Sequence, residues 1–183
     1  MLPEDVVNRR IAPMAPYDVN LDPTIRDVTT SRTFTSKQWG GNTQSTFPSI
    51  RQDMLARHGL NDFMYLNLFF NPHTPQWPGA PGLFFDPSVD WVAHERPGVR
   101  RVSVRLKSSC WLYVGQYQRT PAPSLTIEEW KSQAPKVSTR VMVIFYLIFW
   151  VFPSGQAEVE YQGLNSRVGP RHTGENCPPK EAQ

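Results

Sequence analysis

From Val99 to Tyr117 the chain reads Val-Arg-Arg-Val-Ser-Val-Arg-Leu-Lys-Ser-Ser-Cys-Trp-Leu-Tyr-Val-Gly-Gln-Tyr. Val102, Val104 and Leu106 alternate with Arg101, Ser103 and Arg105, and beyond Lys107-Ser108-Ser109 the residues Cys110, Leu112 and Val114 alternate with Trp111 and Tyr113. Successive side chains on a strand point to opposite faces, so the pattern predicts two half-buried strands joined by a short polar turn. The rest of the chain has to be arranged around that hairpin.

Eighteen prolines against eleven glycines exclude long uninterrupted helices, because each proline removes a backbone donor and fixes φ. With 39% hydrophobic residues in 183, the chain can build one domain with a core while leaving part of its length unpacked. Only Cys110 and Cys177 are present, which does not support the disulfide framework of small secreted domains. Acids follow Met1-Leu2-Pro3 where a signal peptide needs bases, and no apolar stretch comes after them. An intracellular protein of the nucleus or cytoplasm is expected, neither secreted nor transmembrane.

The net charge of +3 is unevenly spread: residues 1–45 carry five basic and five acidic side chains, residues 46–137 ten and seven, and residues 138–183 four and four. The excess lies in the middle, where Arg100, Arg101, Arg105 and Lys107 form a basic stripe free of acids. Such a stripe suits a polyanion partner. It suits better still a solvated strand face protected from edge pairing by its charge.

In chain order, residues 1–45 read as a disordered or linker leader. Prolines at 3, 13, 16 and 23 and the polar run from Thr29 to Gln38 offer little apolar surface to offset ordering entropy, and Trp39-Gly40-Gly41 would be the first touch on the folded body. Residues 49–58 predict a helix, with Ser49 and Gln52 at capping-box spacing, Ile50, Met54 and Leu55 on one side and Gly59 as a left-handed stop. His58 in its last turn faces the helix dipole. Leu60 to Phe70 predicts a buried strand, and Asn71-Pro72-His73-Thr74-Pro75-Gln76-Trp77-Pro78-Gly79-Ala80-Pro81-Gly82 a structured loop that delivers Leu83-Phe84-Phe85 as another strand. A surface connection through Trp91 and His94 leads into the hairpin. Beyond it, Thr126 and Glu129 form a second capping box, with Leu125 placed to staple Trp130.

Residues 141–152 are uniformly apolar, but the run of twelve is well short of the roughly 20 that a membrane helix needs. Every residue in it except Tyr146 and Trp150 has codons with T in the middle position, as translated intron sequence would. Shifted by one nucleotide, the codons for Pro170 to Lys180 can encode a basic helix. Residues 138–183 are therefore expected to be intron read-through and a frame-shifted tail, leaving the 46–137 domain short of its C-terminal part. A spliced transcript that retains the intron as its major form would overturn this expectation.

His58-Gly59-Leu60-Asn61-Asp62-Phe63-Met64, Asn67 with Asn71-Pro72-His73, Pro78 to Phe85, Val104-Arg105-Leu106-Lys107, Trp111 to Gly115 with Tyr117, and Leu125-Thr126 with Glu129 to Val137 follow one another in a specific order. Over residues 46–137 this order resembles an uncharacterised family of basidiomycete fungal proteins defined by a domain of unknown function, DUF6697. The resemblance implies fold boundaries and no activity. In that family a Trp and a basic helix follow Pro-Lys-Val, and the chain departs from the pattern at Val137.

His58, His73, His94 and His172 lie far apart, so no metal site is expected, and no cofactor fingerprint is present. His73 and Asp62 could pair as a base with an orienting acid, which leaves room for an enzyme around His73. No catalytic motif supports that over a structural hydrogen bond. The leading expectation is a non-enzymatic binding module. Arg101, Arg105 and Lys107 near Trp111 and Tyr113 combine cations for phosphates with rings for bases, provided the cross-strand register puts them on one face. The alternative is a protein-interaction domain using the 71–82 loop, with His73, Trp77 and Trp91 as its anchors. The fold class expected is α+β: a mostly antiparallel sheet or small partly open barrel around the hairpin, with two short capped helices.

Overall fold

The computed structural model describes residues 1–85, 99–120, 123 and 125–132. In chain order the elements are α1 (Glu4–Ile11), α2 (Pro23–Arg26), β1 (Thr29–Thr30), α3 (Arg32–Trp39), α4 (Gln52–His58), β2 (Phe63–Asn67), β3 (Val99–Lys107), β4 (Cys110–Gln118) and α5 (Ile127–Lys131). The strands form one open sheet in the order β1-β4-β3-β2. The β3–β4 hairpin pairs antiparallel, as its alternation predicts, and β1 adds antiparallel to β4. On the far side β2 pairs parallel to β3, so the sheet is mixed and does not close into a barrel. The fold is α+β.

Ser109 takes a left-handed φ of 58° at the tip, and the ladder is irregular between Val102 and Ser103 and between Arg105 and Lys107. Irregularities of this kind bend the strand and raise its twist. A parallel neighbour needs a crossover of a dozen or more residues. The segment from Leu68 to Gly98 provides it.

Each face of the sheet carries its own cluster. Met64, Leu66, Val102, Val104, Leu112 and Val114 share one face, and with Phe84 and Tyr117 they form the main core. The opposite face presents Phe63, Tyr65 and Trp111 to α3 and α4, where Trp39, Ile50 and Met54 complete a second cluster. β2 is therefore buried on both sides, which is why its sequence is almost uniformly apolar. A third cluster joins α1 and α5 around Leu83 and Phe85 through Leu2, Val6, Ile11, Leu125 and Trp130.

Residues 1–45 are not a linker. Leu2, just before α1, and Val6 in its first turn are 4% and 7% exposed, so a few well-placed apolar residues suffice to dock α1. The chain thus meets the folded body at Leu2, well before Trp39. Ser31 caps α3 by accepting from the Phe34 N–H at 3.1 Å, so the polar run after Thr29 is an edge strand and a helix.

The capping box expected at Ser49 and Gln52 does not form, because α4 starts at Gln52 with Arg51 as an N-cap that makes no side-chain bond. The stop at Gly59 is left-handed as its sequence implies, with φ 72°. His58 bridges the ends of two helices: its Nε2 donates to the Trp39 carbonyl and its Nδ1 accepts from the Leu60 N–H, each at 3.0 Å.

Leu83-Phe84-Phe85 is buried but joins no ladder. Its backbone is satisfied locally instead, with the Leu83 N–H donating to the His73 carbonyl at 2.7 Å and the Phe85 N–H to Asn71 Oδ1 at 3.1 Å. The second capping box is present in full: Thr126 Oγ1 accepts from the Glu129 N–H and Glu129 accepts from the Thr126 N–H. Trp91, His94 and residues 138–183 lie outside the described residues, and so does the expectation of intron read-through.

Candidate nucleic-acid interface

Strand register decides which of the proposed binding residues meet. Arg105 lies opposite Trp111, Ser103 opposite Tyr113, and Arg101 opposite Gln116. Residues in register share a face, so Arg105, Trp111, Ser103 and Tyr113 stand together on the face away from the main core. Arg105, Trp111 and Tyr113 are each half-buried, and Lys107 is exposed at the hairpin end. The Arg105 Nε donates to the Lys107 carbonyl at 3.4 Å.

Arg101 is a different case, and its place in the candidate set is corrected. It is 8% exposed, its guanidinium forms an ion pair with Asp62, and its backbone N–H donates to the Asp62 carbonyl at 2.8 Å. An arginine so held clamps the start of β3 to the approach to β2 and is not displayed to a ligand. Alternation alone could not separate it from Arg105, because both point to the same face. The difference lies in Asp62, thirty-nine residues earlier.

The same pair removes the partner considered for His73. The His73 Nε2 accepts from the Leu2 N–H at 3.2 Å, so the neutral ring docks the N-terminal segment. Burial, reinforced by the nearby N-terminal ammonium, lowers its pKa from 6.5 to about 4. Trp77 is 55% exposed on its loop, between the buried Pro75 and Pro78. Gly79 fixes that loop: its N–H donates to the Val114 carbonyl at 3.3 Å, and its own carbonyl accepts from the Tyr17 N–H at 2.9 Å.

Arg32 was not visible as part of this site. It is 8% exposed, its guanidinium lies 3.2 Å from the Tyr65 ring centroid and 5.6 Å from that of Trp111, and it donates to the carbonyls of Asn42, Thr43 and Ser45. Tyr65 meets Trp111 edge-on at 5.7 Å. Burial lowers the Arg32 pKa, a tendency that the neighbouring Tyr65 opposes, and burial raises that of the Tyr65 hydroxyl. A lone arginine in a Ser/Thr run carries no sequence signal for such a contact.

Among the described residues no group of three or more His, Cys, Asp or Glu is placed to hold a metal ion, and no helix is long and apolar enough to cross a membrane. The family model of the domain of unknown function DUF6697 matches residues 29–180. The chain belongs to that family. The match opens at the edge strand β1, within the segment expected to be a leader, and runs past Val137. No curated protein and no solved structure matches the chain.

Proposed function

We propose that this DUF6697 domain is a non-enzymatic binding module whose ligand is nucleic acid, engaged at the tip half of the β3–β4 hairpin. The reading rests on one observation, the register that sets Arg105 directly beside Trp111 with Tyr113 on the same face. Arg105 and Lys107 supply phosphate contacts and the two rings supply stacking surfaces. A nucleic-acid partner would be met in the nucleus or cytoplasm, and that is the localisation the reading supports.

The test is an electrophoretic mobility assay with DNA and RNA over a series of salt concentrations, comparing the full chain with an Arg105→Ala/Lys107→Ala variant. Losing two phosphate contacts should make the slope of log affinity against log salt shallower by roughly 1.4–1.8. No shift at low salt with any probe would retire the reading.

A second reading draws on the 55% exposure of Trp77 and the 53% exposure of Phe69. Large rings held outward by a rigid loop serve as anchors for a protein partner. Binding of that kind survives moderate salt and is lost in Trp77→Ala.

A further inference from the structure

We propose that the ligand is single-stranded, laid across the four strands along the row Asn67, Arg105, Trp111 and Thr30, with Asn67 reading a base edge; this rests on the nucleic-acid reading above. The parallel register sets Asn67 beside Arg105, the hairpin register sets Arg105 beside Trp111, and the β1 register sets Trp111 beside Thr30. One row therefore crosses the whole sheet on one face. At the usual inter-strand spacing it is about 14 Å long. The next row, Leu66, Val104, Leu112 and Thr29, faces the main core, which confirms the facing of the first.

All four residues of the first row are half-buried, so each keeps part of its surface accessible. Trp111 is held in place from the helix side by the edge-on Tyr65 ring and by Arg32, so its orientation is set before a ligand arrives. Asn67 is oriented too: its Oδ1 accepts from the Phe69 N–H at 3.0 Å. Among the described residues its Nδ2 makes no hydrogen bond, which leaves an amide donor for a base acceptor.

A duplex makes poorer use of such a row: its phosphates can meet Arg105 and Lys107, but it offers no unstacked base to Trp111. Its major groove, about 12 Å wide, admits a helix or a two-stranded ribbon, and its bases show only their edges. A single strand can splay its bases, stack one on Trp111, place phosphate at Arg105 and Lys107, and offer a base edge to Asn67.

Fluorescence anisotropy at low salt separates the possibilities, with an end-labelled twelve-nucleotide single strand, as DNA and as RNA, and the blunt duplex of the same sequence as probes. The full chain should bind the single strand at least about tenfold more tightly than the duplex. Trp111→Leu should lose about tenfold in single-strand affinity, as expected for one stacked base, while Trp111→Phe should keep most of it. Trp111 also packs against the second cluster, so circular dichroism accompanies Trp111→Leu, and the Asn67 variant carries the test where that fold is lost. Asn67→Ser stays neutral and keeps a side-chain oxygen that can accept from the Phe69 N–H, but it removes the amide donor; it should weaken the single strand several-fold and leave the duplex unchanged. Equal or tighter duplex binding, or an Asn67→Ser chain with unaltered single-strand affinity, overturns the assignment and leaves the broader nucleic-acid reading standing. Absence of binding by every probe removes that reading as well.

Discussion

Arg101 and Arg105 are four residues apart on β3 and face the same way, yet they are held differently. The Arg101 side chain is 9% exposed and ion-paired with Asp62, whose own side chain is 29% exposed. Removing one partner of a largely buried pair strands the other charge in a poorly solvated site, which costs about 3 kcal/mol. Arg105 is half-buried and bonded to a backbone carbonyl of its own strand, and among the described residues it has no such partner charge to strand. Arg101→Ala and Asp62→Ala should each lower stability by about 3 kcal/mol, while Arg105→Ala should stay within about 0.5 kcal/mol of the parent. Urea midpoints of the three variants check this, and equal losses at 101 and 105 would count against the division of roles. A mobility assay that mutates Arg101 would therefore report on folding, which is why the binding test uses Arg105 and Lys107.

At the scale of elements, what could be read from the sequence was what is local. The hairpin was legible because its two strands are adjacent in sequence and their alternation survives the irregularities in the ladder. The Thr126–Glu129 box was legible because all its bonds lie within one turn. The Ser49–Gln52 box has the same spacing and fails, since Ile50 is drawn into the cluster under Trp39 and the helix begins only after Arg51. Leu83-Phe84-Phe85 has the composition of a strand but finds its hydrogen bonds in its own loop, at His73 and Asn71. β1 is two residues long, and its existence depends on Leu112 and Trp111 some eighty residues later. Likewise the Arg105–Trp111 pairing was legible only as a condition on register, whereas Asn67 and Arg32 enter the site through contacts that no local pattern encodes.

Across the whole molecule, the N-terminal segment is the tie that composition concealed. Arg10 pairs with Glu129 and donates to the Pro123 carbonyl at 2.8 Å, joining α1 to α5, and Leu2 donates to His73. Burial raises the Glu129 pKa, but bonds from Thr126 and Arg10 outweigh it and leave the group lowered, so its contribution is lost only as pH falls through the acidic carboxylate range. His73 acts in a separate window. Its folded pKa of about 4 lies below the unfolded 6.5, so between those values the unfolded chain binds more protons and stability is lost as the pH is lowered. The contribution is intact above pH 6.5 and gone below about 4. Allowing for the part of the ring that water still reaches, acidification from pH 7 to 5 should remove about 1–2 kcal/mol. His73→Gln keeps a potential acceptor for the Leu2 N–H without a titrating ring, and should flatten this part of the profile. Urea denaturation at pH 7, 6 and 5 measures the difference. If parent and variant lose stability in parallel over that range, the docking of the N-terminal segment does not depend on a neutral His73.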